Sequence, residues 1–233
     1  MSLREYQKKR DFERTAEPAP AVPKARKKAH LSFVVQKHDA SRLHYDFRLE
    51  MEGVLKSWAV PKGFPWQQGE RHLAVHVEDH PLEYARFEGV IPKGEYGGGT
   101  VMVWDVGTYE VLEEEPLRGL HRGKLHLRLK GKKLKGEWTL IRTRSDGEKE
   151  HWLLLKTEES IKPVSEKKDD ESVLTSRSMR EIAEQKTATW RSSGQKWEVG
   201  QNKRDDGSVA STRSPSRKEE SAVRSSRRAT SGK

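Results

Sequence analysis

The heptapeptide LHYDFRL, residues 43–49, alternates strictly between apolar and polar side chains. Successive side chains of a β-strand point to opposite faces, so its apolar residues share one face and its polar residues share the other. The apolar row predicts a strand that packs on a core. The polar row consists of His44, Asp46 and Arg48, whereas a solvated strand face usually carries Lys, Glu, Thr or Ser. This polar face is therefore a candidate for a catalytic or ligand-binding site.

Similar short segments rich in Val, Leu, Trp and Tyr extend on both sides of this strand, from about residue 31 to residue 157. Gly and Pro separate the segments, and no long amphipathic helix interrupts them. The pattern predicts a mainly β domain, either a barrel or a sandwich of short antiparallel strands. The predicted strands cover residues 31–36, 43–51, 54–60, 72–77, 99–104, 107–112, 124–129, 136–142 and 152–156.

A metal site is the chemistry that this strand suggests. Neighbouring side chains on one strand face lie about 6.6–7 Å apart, so His44 and Asp46 can converge on one ion. His38 lies just before the strand, and residues 39–42 suit a turn that brings it back toward His44. The chain has no cysteine, so metal ligands must come from His, Asp, Glu or backbone oxygen. A hydrogen-bonded surface histidine is the alternative for any one of these residues.

A second group of polar residues lies in the segment EDHPLEY, residues 78–84. Pro81 is expected to end the preceding strand, which would place His80 and Tyr84 in a connecting segment. Histidine can donate to a phosphate oxygen or protonate a leaving alkoxide, and a tyrosine hydroxyl can bind the same group. The alternative is a turn in which these side chains only satisfy one another.

Composition limits the function classes. Charged residues make up 35 % of the 233 residues and hydrophobic residues 32 %, and the net charge is +10. Much of the excess lies in residues 160–233, with 17 Lys and Arg against 11 Asp and Glu and with fifteen serines. This composition predicts a basic, largely disordered tail that attracts nucleic acid or only solvates the domain. The first residues show no apolar signal segment and nowhere do eighteen apolar residues run together, so we expect a cytoplasmic protein without a membrane span. No segment resembles a coiled coil or an exposed apolar stripe, so we expect a monomer.

Three further motifs point less specifically to a function. The segment GEYGGG, residues 94–99, could cradle phosphate, but a strand follows it instead of a helix and a wide hairpin is favoured. The segments RSDG and RDDG, residues 144–147 and 204–207, carry arginine where nucleotidyl-transferring ligases need lysine. The segment GKKLKG, residues 131–136, is either a DNA-facing hairpin tip or a solvated turn.

Several of these segments together resemble a known family. FVVQKHDASRLHYDFRLEMEGVLKSWAVPKG, EDHPLEYARFEGVIPKGEYGGGTVMVWDVGTYE and the later HWLLLKT resemble the 3′-phosphoesterase domain of bacterial ligase D and its stand-alone relatives. KKRDFERTAEP resembles the N-terminal segment of that family. The resemblance covers roughly residues 6–157, and its motifs are long.

The resemblance implies a small closed β-barrel over residues 31–158 with an active-site groove on its surface. A polar N-terminal arm, residues 1–30, would pack partly on it, and residues 159–233 would form the tail. It implies a manganese enzyme of end-joining DNA repair that removes a ribonucleoside from a primer 3′ end and then removes the 3′-phosphate. The implied substrate is a DNA or DNA/RNA primer-template, and a separate ATP-dependent ligase, polymerase and Ku-type end-binding protein are the implied partners.

The family's functional residues match positions of this chain. The metal ligands match His38, His44 and Asp46, and the phosphate-binding set matches Arg48, His80 and Tyr84. Supporting residues match Arg10, Asp11, Gln36 and Glu78. A non-catalytic nucleic-acid-binding adaptor that uses the same groove and the basic tail remains the alternative.

Overall fold

A computed structural model describes residues 2–20, 31–113, 115–145 and 150–185 of the protein. The strands are β1 Leu31–Asp39, β2 Leu43–Met51, β3 Val54–Val60, β4 Arg71–Pro81, β5 Gly89–Ile91, β6 Gly99–Val111, β7 Lys124–Gly131, β8 Lys135–Ser145 and β9 Glu150–Lys156. The helices are α1 Leu3–Lys8, α2 Pro116–Arg122, α3 Glu166–Asp169 and α4 Met179–Gln185, and a 3-10 turn spans Leu82–Arg86.

Eight of the strands close into an antiparallel barrel, in the order β1-β2-β3-β4-β9-β8-β7-β6. The barrel closes because β1 pairs with β2 along one edge and with β6 along the other. The short strand β5 adds to β6 outside the closed ring. The predicted mainly β fold and the closed barrel are therefore confirmed.

Two hydrophobic clusters lie on opposite faces of the barrel wall. The barrel interior holds four buried tryptophans, and such large rings supply much of the apolar area that stabilises a small domain. They are Trp58, Trp104, Trp138 and Trp152. The second cluster lies on the outer face of β1 and β6, where Val34 and Val103 pack with Tyr84 and Phe87 and with Tyr6 of the N-terminal arm.

The strand bounds follow the sequence prediction in some places and differ from it in others. β2 and β3 have the predicted bounds, whereas β6 is one strand where two were predicted. Gly107 suggested a turn, but it allows a close approach of β6 to β7, since a Cβ there would clash with the backbone of Lys130. β4 continues to Pro81, so His80 lies in a strand and not in a connecting segment.

The N-terminal arm packs on the outer cluster through Tyr6, Phe12 and Ala16. Helix α1 buries Tyr6 completely, and the Tyr6 hydroxyl donates to the backbone carbonyl of Pro18 at 2.7 Å. The chain therefore folds back on itself between these two residues. Residues 21–30 of the predicted arm lie outside the described residues.

Residues 159–185, which the sequence assigned to the start of a largely disordered tail, pack on the barrel. Ile182 of α4 is fully buried in the cluster of the barrel interior, and Ile161, Val164 and Met179 pack against it. We call residues 159–185 the C-terminal strap. The prediction failed here because a few apolar residues, spaced among many polar ones, anchor the segment. Residues 186–233 lie outside the described part of the chain.

The strap also accounts for the lysines of the GKKLKG segment. The Lys132 and Lys133 ammonium groups donate to the backbone carbonyls of Val173 and Glu171, at 2.8 and 2.7 Å. These two lysines therefore contact the strap, which differs from both predicted roles, a DNA-facing tip and a solvated turn. Within the described residues, no helix is long and apolar enough to span a membrane.

Candidate metal centre

The β1–β2 hairpin brings the three predicted metal ligands together. His38 and His44 are directly opposite each other in the antiparallel register, and Asp46 is opposite Gln36. The two imidazole rings have centroids 4.7 Å apart. One ligand atom from each of His38, His44 and Asp46 lies within 4.8 Å of the others, which is compatible with coordination of a single ion.

Backbone carbonyls fix the orientation of both imidazoles. Nε2 of His38 lies 2.9 Å from the carbonyl oxygen of Gly97, and Nδ1 of His44 lies 2.9 Å from that of Arg42. A carbonyl oxygen only accepts, so each of these nitrogens must be the protonated donor. In neutral rings, the lone pairs are then on Nδ1 of His38 and Nε2 of His44. Those atoms face Asp46, at 3.5 and 3.7 Å from its carboxylate oxygens.

This arrangement fits a divalent cation. Two nitrogen lone pairs and a carboxylate that face one another repel until a cation or protons lie between them. A metal-bound histidine usually donates its other ring N–H to a carbonyl or carboxylate, which is the geometry of both histidines. The donor set of two imidazoles and one carboxylate leaves coordination positions open for a ligand.

Asp46 is held in its charged form although it is buried. Burial raises the pKa of this carboxyl, but the Arg48 guanidinium, followed by the two imidazoles, outweighs burial and keeps the pKa well below its usual range. Nη2 of Arg48 donates to Asp46 at 3.0 Å. The carboxylate is therefore available as a ligand across the neutral pH range.

Arg48 connects the metal ligands to the rest of the outer face. Its side chain is buried, and it donates through Nε to Gln36 at 2.7 Å and through Nη1 to Ser57 at 2.9 Å. The guanidinium also lies over the Tyr84 ring, 4.9 Å from its centroid. Gln36 in turn donates to the carbonyls of Tyr84 and Phe87, so its orientation is fixed. These bonds use three of the five guanidinium N–H groups, and the other two make no hydrogen bond within the described residues.

His80 lies beside Arg48 and is held neutral. Burial is the main cause of its pKa, which is well below the ordinary value of 6.5, and Arg48 and Arg10 lower it further. Its Nδ1–H donates to the Glu78 carbonyl at 2.8 Å, and its Nε2 accepts from Arg10 at 3.3 Å. The imidazole therefore presents an unprotonated nitrogen to the Arg10 guanidinium.

The arm completes the site with a carboxylate that sequence reasoning missed. Glu17 is fully buried and accepts from Arg10 at 2.8 Å and from the Tyr84 hydroxyl at 3.0 Å. Burial and this carboxylate raise the pKa of Tyr84 well above its ordinary value, so the hydroxyl remains a donor. The Tyr84 hydroxyl, predicted to bind phosphate, is engaged with Glu17 in this structure. Glu17 precedes Pro18 in a polar segment, where no periodicity identifies it.

The supporting residues predicted from the family divide into two groups. Glu78 binds Lys9 and Arg10 at 3.0 and 3.1 Å and belongs to the same network as His80. Burial raises the pKa of Glu78, but its backbone hydrogen bond, Lys9 and Arg10 together lower it. Asp11 is exposed, and its carboxylate accepts from the Glu13 N–H in the turn after α1. The structure thus brings Arg10, Gln36 and Glu78 into the network and leaves Asp11 at its edge.

The loop of residues 92–98 forms one rim of the metal site. Its Gly97 carbonyl orients His38, so the GEYGGG segment serves the site through a carbonyl acceptor and not as a cradle of N–H groups. Gly97 has a φ of 75°, which favours glycine. Next to it, Tyr96 exposes 47 % of its surface, and its hydroxyl accepts from Lys9 at 3.2 Å. Leu43, on the strand that carries His44, is also 47 % exposed.

Comparison with known proteins shows which family this barrel resembles. Residues 36–142 match the family described as DNA Ligase D 3′-phosphoesterase domain. Most of the barrel is therefore similar to this phosphoesterase domain. The matched residues of the phosphoesterase domain include the three candidate ligands, Arg48, His80 and Tyr84, but neither the arm nor the strap.

Curated relatives of the phosphoesterase domain are much longer proteins. The chain is 53 % identical over 157 residues to the multifunctional non-homologous end joining protein LigD of Pseudomonas aeruginosa. The aligned region covers 67 % of this chain and 19 % of the relative. It is 49 % identical over 146 residues to the LigD DNA repair protein of Mycobacterium tuberculosis, covering 62 % and 19 %. The chain thus spans about a fifth of the length of these relatives.

Proposed function

We propose that this protein is a metal-dependent 3′-phosphoesterase that prepares DNA ends for joining. It would remove a 3′-terminal ribonucleoside from a DNA or DNA/RNA primer-template and then remove the remaining 3′-phosphate, so that a 3′-hydroxyl is left. The similarity of residues 36–142 to the phosphoesterase domain of DNA ligase D supports the reaction class. The observation that carries the proposal is the orientation of His38 and His44, whose free ring nitrogens both face Asp46.

The proposed metal is manganese. Imidazole nitrogen and carboxylate oxygen are ligands that Mn²⁺ accepts, and the site offers no thiolate that would favour a softer ion. His38 would bind it through Nδ1, His44 through Nε2 and Asp46 through its carboxylate. Once bound there, the metal would act as a Lewis acid on the phosphoryl group of the substrate.

The neighbouring residues would act on the same phosphoryl group. Arg48 is charged and preorganised by Gln36 and Ser57, so its remaining N–H groups can stabilise negative charge without reorganisation. His80 is neutral in the free protein, and an anionic phosphate beside it would favour its protonated form. It could then donate a proton to the leaving oxygen. Tyr84 would first have to leave Glu17 to bind phosphate, so we assign it a supporting role.

Possible partners follow from the relatives. The related LigD proteins are named as multifunctional proteins of non-homologous end joining, and this chain matches about a fifth of their length. We therefore propose that it works with a separate ATP-dependent ligase, a polymerase and a Ku-type end-binding protein. Tyr96, which is exposed next to the Gly97 that orients His38, is a suitable contact for the terminal nucleoside.

A single assay tests the proposed activity. The purified chain is incubated with an end-labelled primer-template that ends in one ribonucleotide, with MnCl₂ or with EDTA. We expect release of the ribonucleoside and then of phosphate only with Mn²⁺, and a fall in rate of about 10²-fold or more in His44→Ala, because a ligand is lost. His121→Ala, an exposed histidine outside the site, is the matched control and should retain full activity.

The same experiment separates the enzyme from a nucleic-acid-binding adaptor. An adaptor would bind the primer-template with a strong dependence on salt but would leave it intact with every divalent ion. If the chain binds Mn²⁺ and the primer-template and yet forms no product, the proposed activity is wrong and the adaptor function is supported.

A further inference from the structure

A single carboxylate of the C-terminal strap contacts the inner face of the metal-site hairpin. Asp169, at the end of α3, accepts from the Lys37 ammonium at 2.5 Å, from the Tyr45 hydroxyl at 2.9 Å and from the Trp104 indole N–H at 3.0 Å. The Asp169 backbone carbonyl accepts from Lys37 as well, at 3.1 Å. All three barrel residues face the interior end that the strap covers.

Two of these residues alternate with the metal-site residues. Lys37 lies between Gln36 and His38 on β1, and Tyr45 lies between His44 and Asp46 on β2. Lys37 and Tyr45 are also directly opposite each other in the strand register. Because strand side chains alternate between faces, this pair points inward where its neighbours point to the metal site. Asp169 thus binds the interior side chains of β1 and β2, whose outer side chains are the metal ligands.

The charge of Lys37 makes this contact hard to replace. The Lys37 side chain is only 9 % exposed, so its ammonium group depends on Asp169 for compensation. The nearby Lys133, which lies over the Trp104 ring, adds positive charge and so increases the dependence of Lys37 on Asp169. Without the Asp169 carboxylate, Lys37 must turn toward water, and that movement displaces the backbone between Gln36 and His38.

A buried carboxylate of the barrel fixes the position of the strap and thereby the position of Asp169. Glu88, which is fully buried just before β5, accepts from the hydroxyls of Ser172 and Thr175 at 2.5 Å each and from Arg177 at 2.8 Å. In addition, the Val173 N–H donates to the Val103 carbonyl at 3.0 Å. The position of Asp169 is therefore set by the fold and not by a chance surface contact.

We propose that Asp169 is a positioning residue for the His38–His44–Asp46 site, so that the C-terminal strap is part of the catalytic unit. This inference rests on the proposed function, because it takes these three residues as the ligands of a divalent metal. Asp169 does not touch the metal or the substrate. It acts through the Lys37–Tyr45 pair on the spacing of the two histidines.

The test measures Mn²⁺ binding directly, by the electron paramagnetic resonance signal of free Mn²⁺, on the full chain. In Asp169→Asn, the amide retains an acceptor for Tyr45 and Trp104 but leaves the Lys37 charge unpaired. We expect the Kd for Mn²⁺ to rise about tenfold, the lower end of the effect of outer-shell partners. Glu166→Gln, which neutralises an exposed carboxylate of the same short helix, is the matched control and should leave the Kd unchanged.

Two further variants keep the test decisive. Lys37→Met combined with Asp169→Asn removes the unpaired charge, and we expect the Kd to return to within about threefold of the unaltered protein. Tyr45→Phe removes only one hydroxyl, and it should weaken Mn²⁺ binding in the same direction by a smaller factor. It replaces Asp169→Asn as the deciding variant if the latter does not fold.

The outcomes distinguish the two proposals. If the unaltered protein does not bind Mn²⁺, the proposed metal site is wrong and the inference falls with it. If the unaltered protein binds Mn²⁺ and folded Asp169→Asn and Tyr45→Phe bind it equally well, only the positioning role is wrong. A lower melting temperature with an unchanged Kd would likewise assign Asp169 a purely structural role.

Discussion

At the scale of single residues, the site contains charged and neutral groups whose states depend on their neighbours. Asp46 remains charged because Arg48 and the imidazoles face it, whereas His80 remains neutral because it is buried beside two arginines. Two ionisable groups on one barrel face are therefore held in opposite charge states: the carboxyl is charged and the imidazole is neutral. For this reason a charged carboxylate ligand and a neutral imidazole are both present at neutral pH.

This contrast predicts a pH dependence of stability. The pKa of His80 is lower in the folded protein than its ordinary value of 6.5, so below about pH 6.5 the unfolded chain binds more protons than the folded one. The free energy of unfolding should then fall as the pH decreases from 7 to 5, by up to about 1.4 kcal/mol per pH unit from this residue. Above pH 7 the contribution is fully present.

Urea unfolding at several pH values, with EDTA present, checks this expectation. His80→Gln should show a shallower decrease of the unfolding free energy between pH 7 and 5 than the unaltered chain, whatever its stability at pH 7. The buried His76, whose pKa is also lowered by burial, should contribute a second part that His76→Gln removes. Identical pH slopes in all three proteins would contradict the assignment of His80 as neutral.

The site residues of β2 share a local signal that sequence reasoning could use, whereas the residues that it missed have none. His44, Asp46 and Arg48 alternate with apolar residues on one strand, so a period of two was enough to place them on one face. Glu17 and Asp169 reach the site through chain reversals between distant segments. Neither the composition nor the spacing around these two carboxylates identifies their partners.

At the scale of elements, the arm is held by a buried ion pair. The Arg10 and Glu17 side chains are 5 % and 0 % exposed, and Arg10 also binds Glu78 of β4. The Arg10 guanidinium lies 3.9 Å from the centroid of the Tyr6 ring, whose edge packs against His80. The arm is thereby attached to the same strand that supplies His80.

Removal of Glu17 should therefore destabilise the whole domain. Glu17→Ala leaves the Arg10 charge and the Tyr84 hydroxyl buried without this acceptor, and we expect a loss of about 3–5 kcal/mol in the free energy of unfolding. Arg14→Ala is the control, because its ion pair with Glu95 has an arginine side chain that is 67 % exposed. That variant should lose less than about 1 kcal/mol. Similar losses in urea unfolding of both variants would contradict the role of the arm.

The predicted strands agree best with the structure where turns are marked by glycine in a left-handed conformation. The β2–β3 turn has Glu52 and Gly53 at φ values of 47° and 79°, and both flanking strands have the predicted bounds. Gly107 misled the prediction, because a glycine that permits two backbones to approach cannot be told from a turn glycine by sequence alone. The three-residue strand β5 is too short to show any alternation.

At the scale of the whole molecule, the packed structure extends beyond the barrel. Fully buried residues of the arm and of the strap, Tyr6 and Ile182, lie in the two clusters that flank the barrel wall. Residues 186–233, which lie outside the described structure, carry 12 Lys and Arg against 5 Asp and Glu. Folding and attraction to DNA should therefore depend on different parts of the chain.

Two truncations test this separation. A chain that ends at Gln185 should unfold at nearly the same urea concentration as the full chain, whereas one that ends at Glu158 should be several kcal/mol less stable. The shorter chain loses the burial of Ile182, worth about 1.5–3 kcal/mol, and leaves Lys37 and Glu88 without their strap partners.

DNA binding gives the second measurement. The chain that ends at Gln185 should bind duplex DNA more weakly at low salt and with a smaller dependence on salt, since each phosphate contact contributes about 0.9 to the slope of log affinity against log salt. Equal salt slopes for the full chain and this truncation would show that residues 186–233 do not contact DNA. Equal stability of all three chains would contradict the structural role of the strap.

The two carbonyls that orient the imidazoles have very different origins. The Arg42 carbonyl, which holds His44, lies in the same hairpin two residues away, whereas the Gly97 carbonyl, which holds His38, lies 59 residues away along the chain. A hairpin of residues 36–48 grafted onto another barrel would therefore bring all three ligands but restrain only one of the two rings. The free His38 ring could then expose either nitrogen, and a graft would need its own carbonyl acceptor at this position to bind metal as the whole protein is proposed to do.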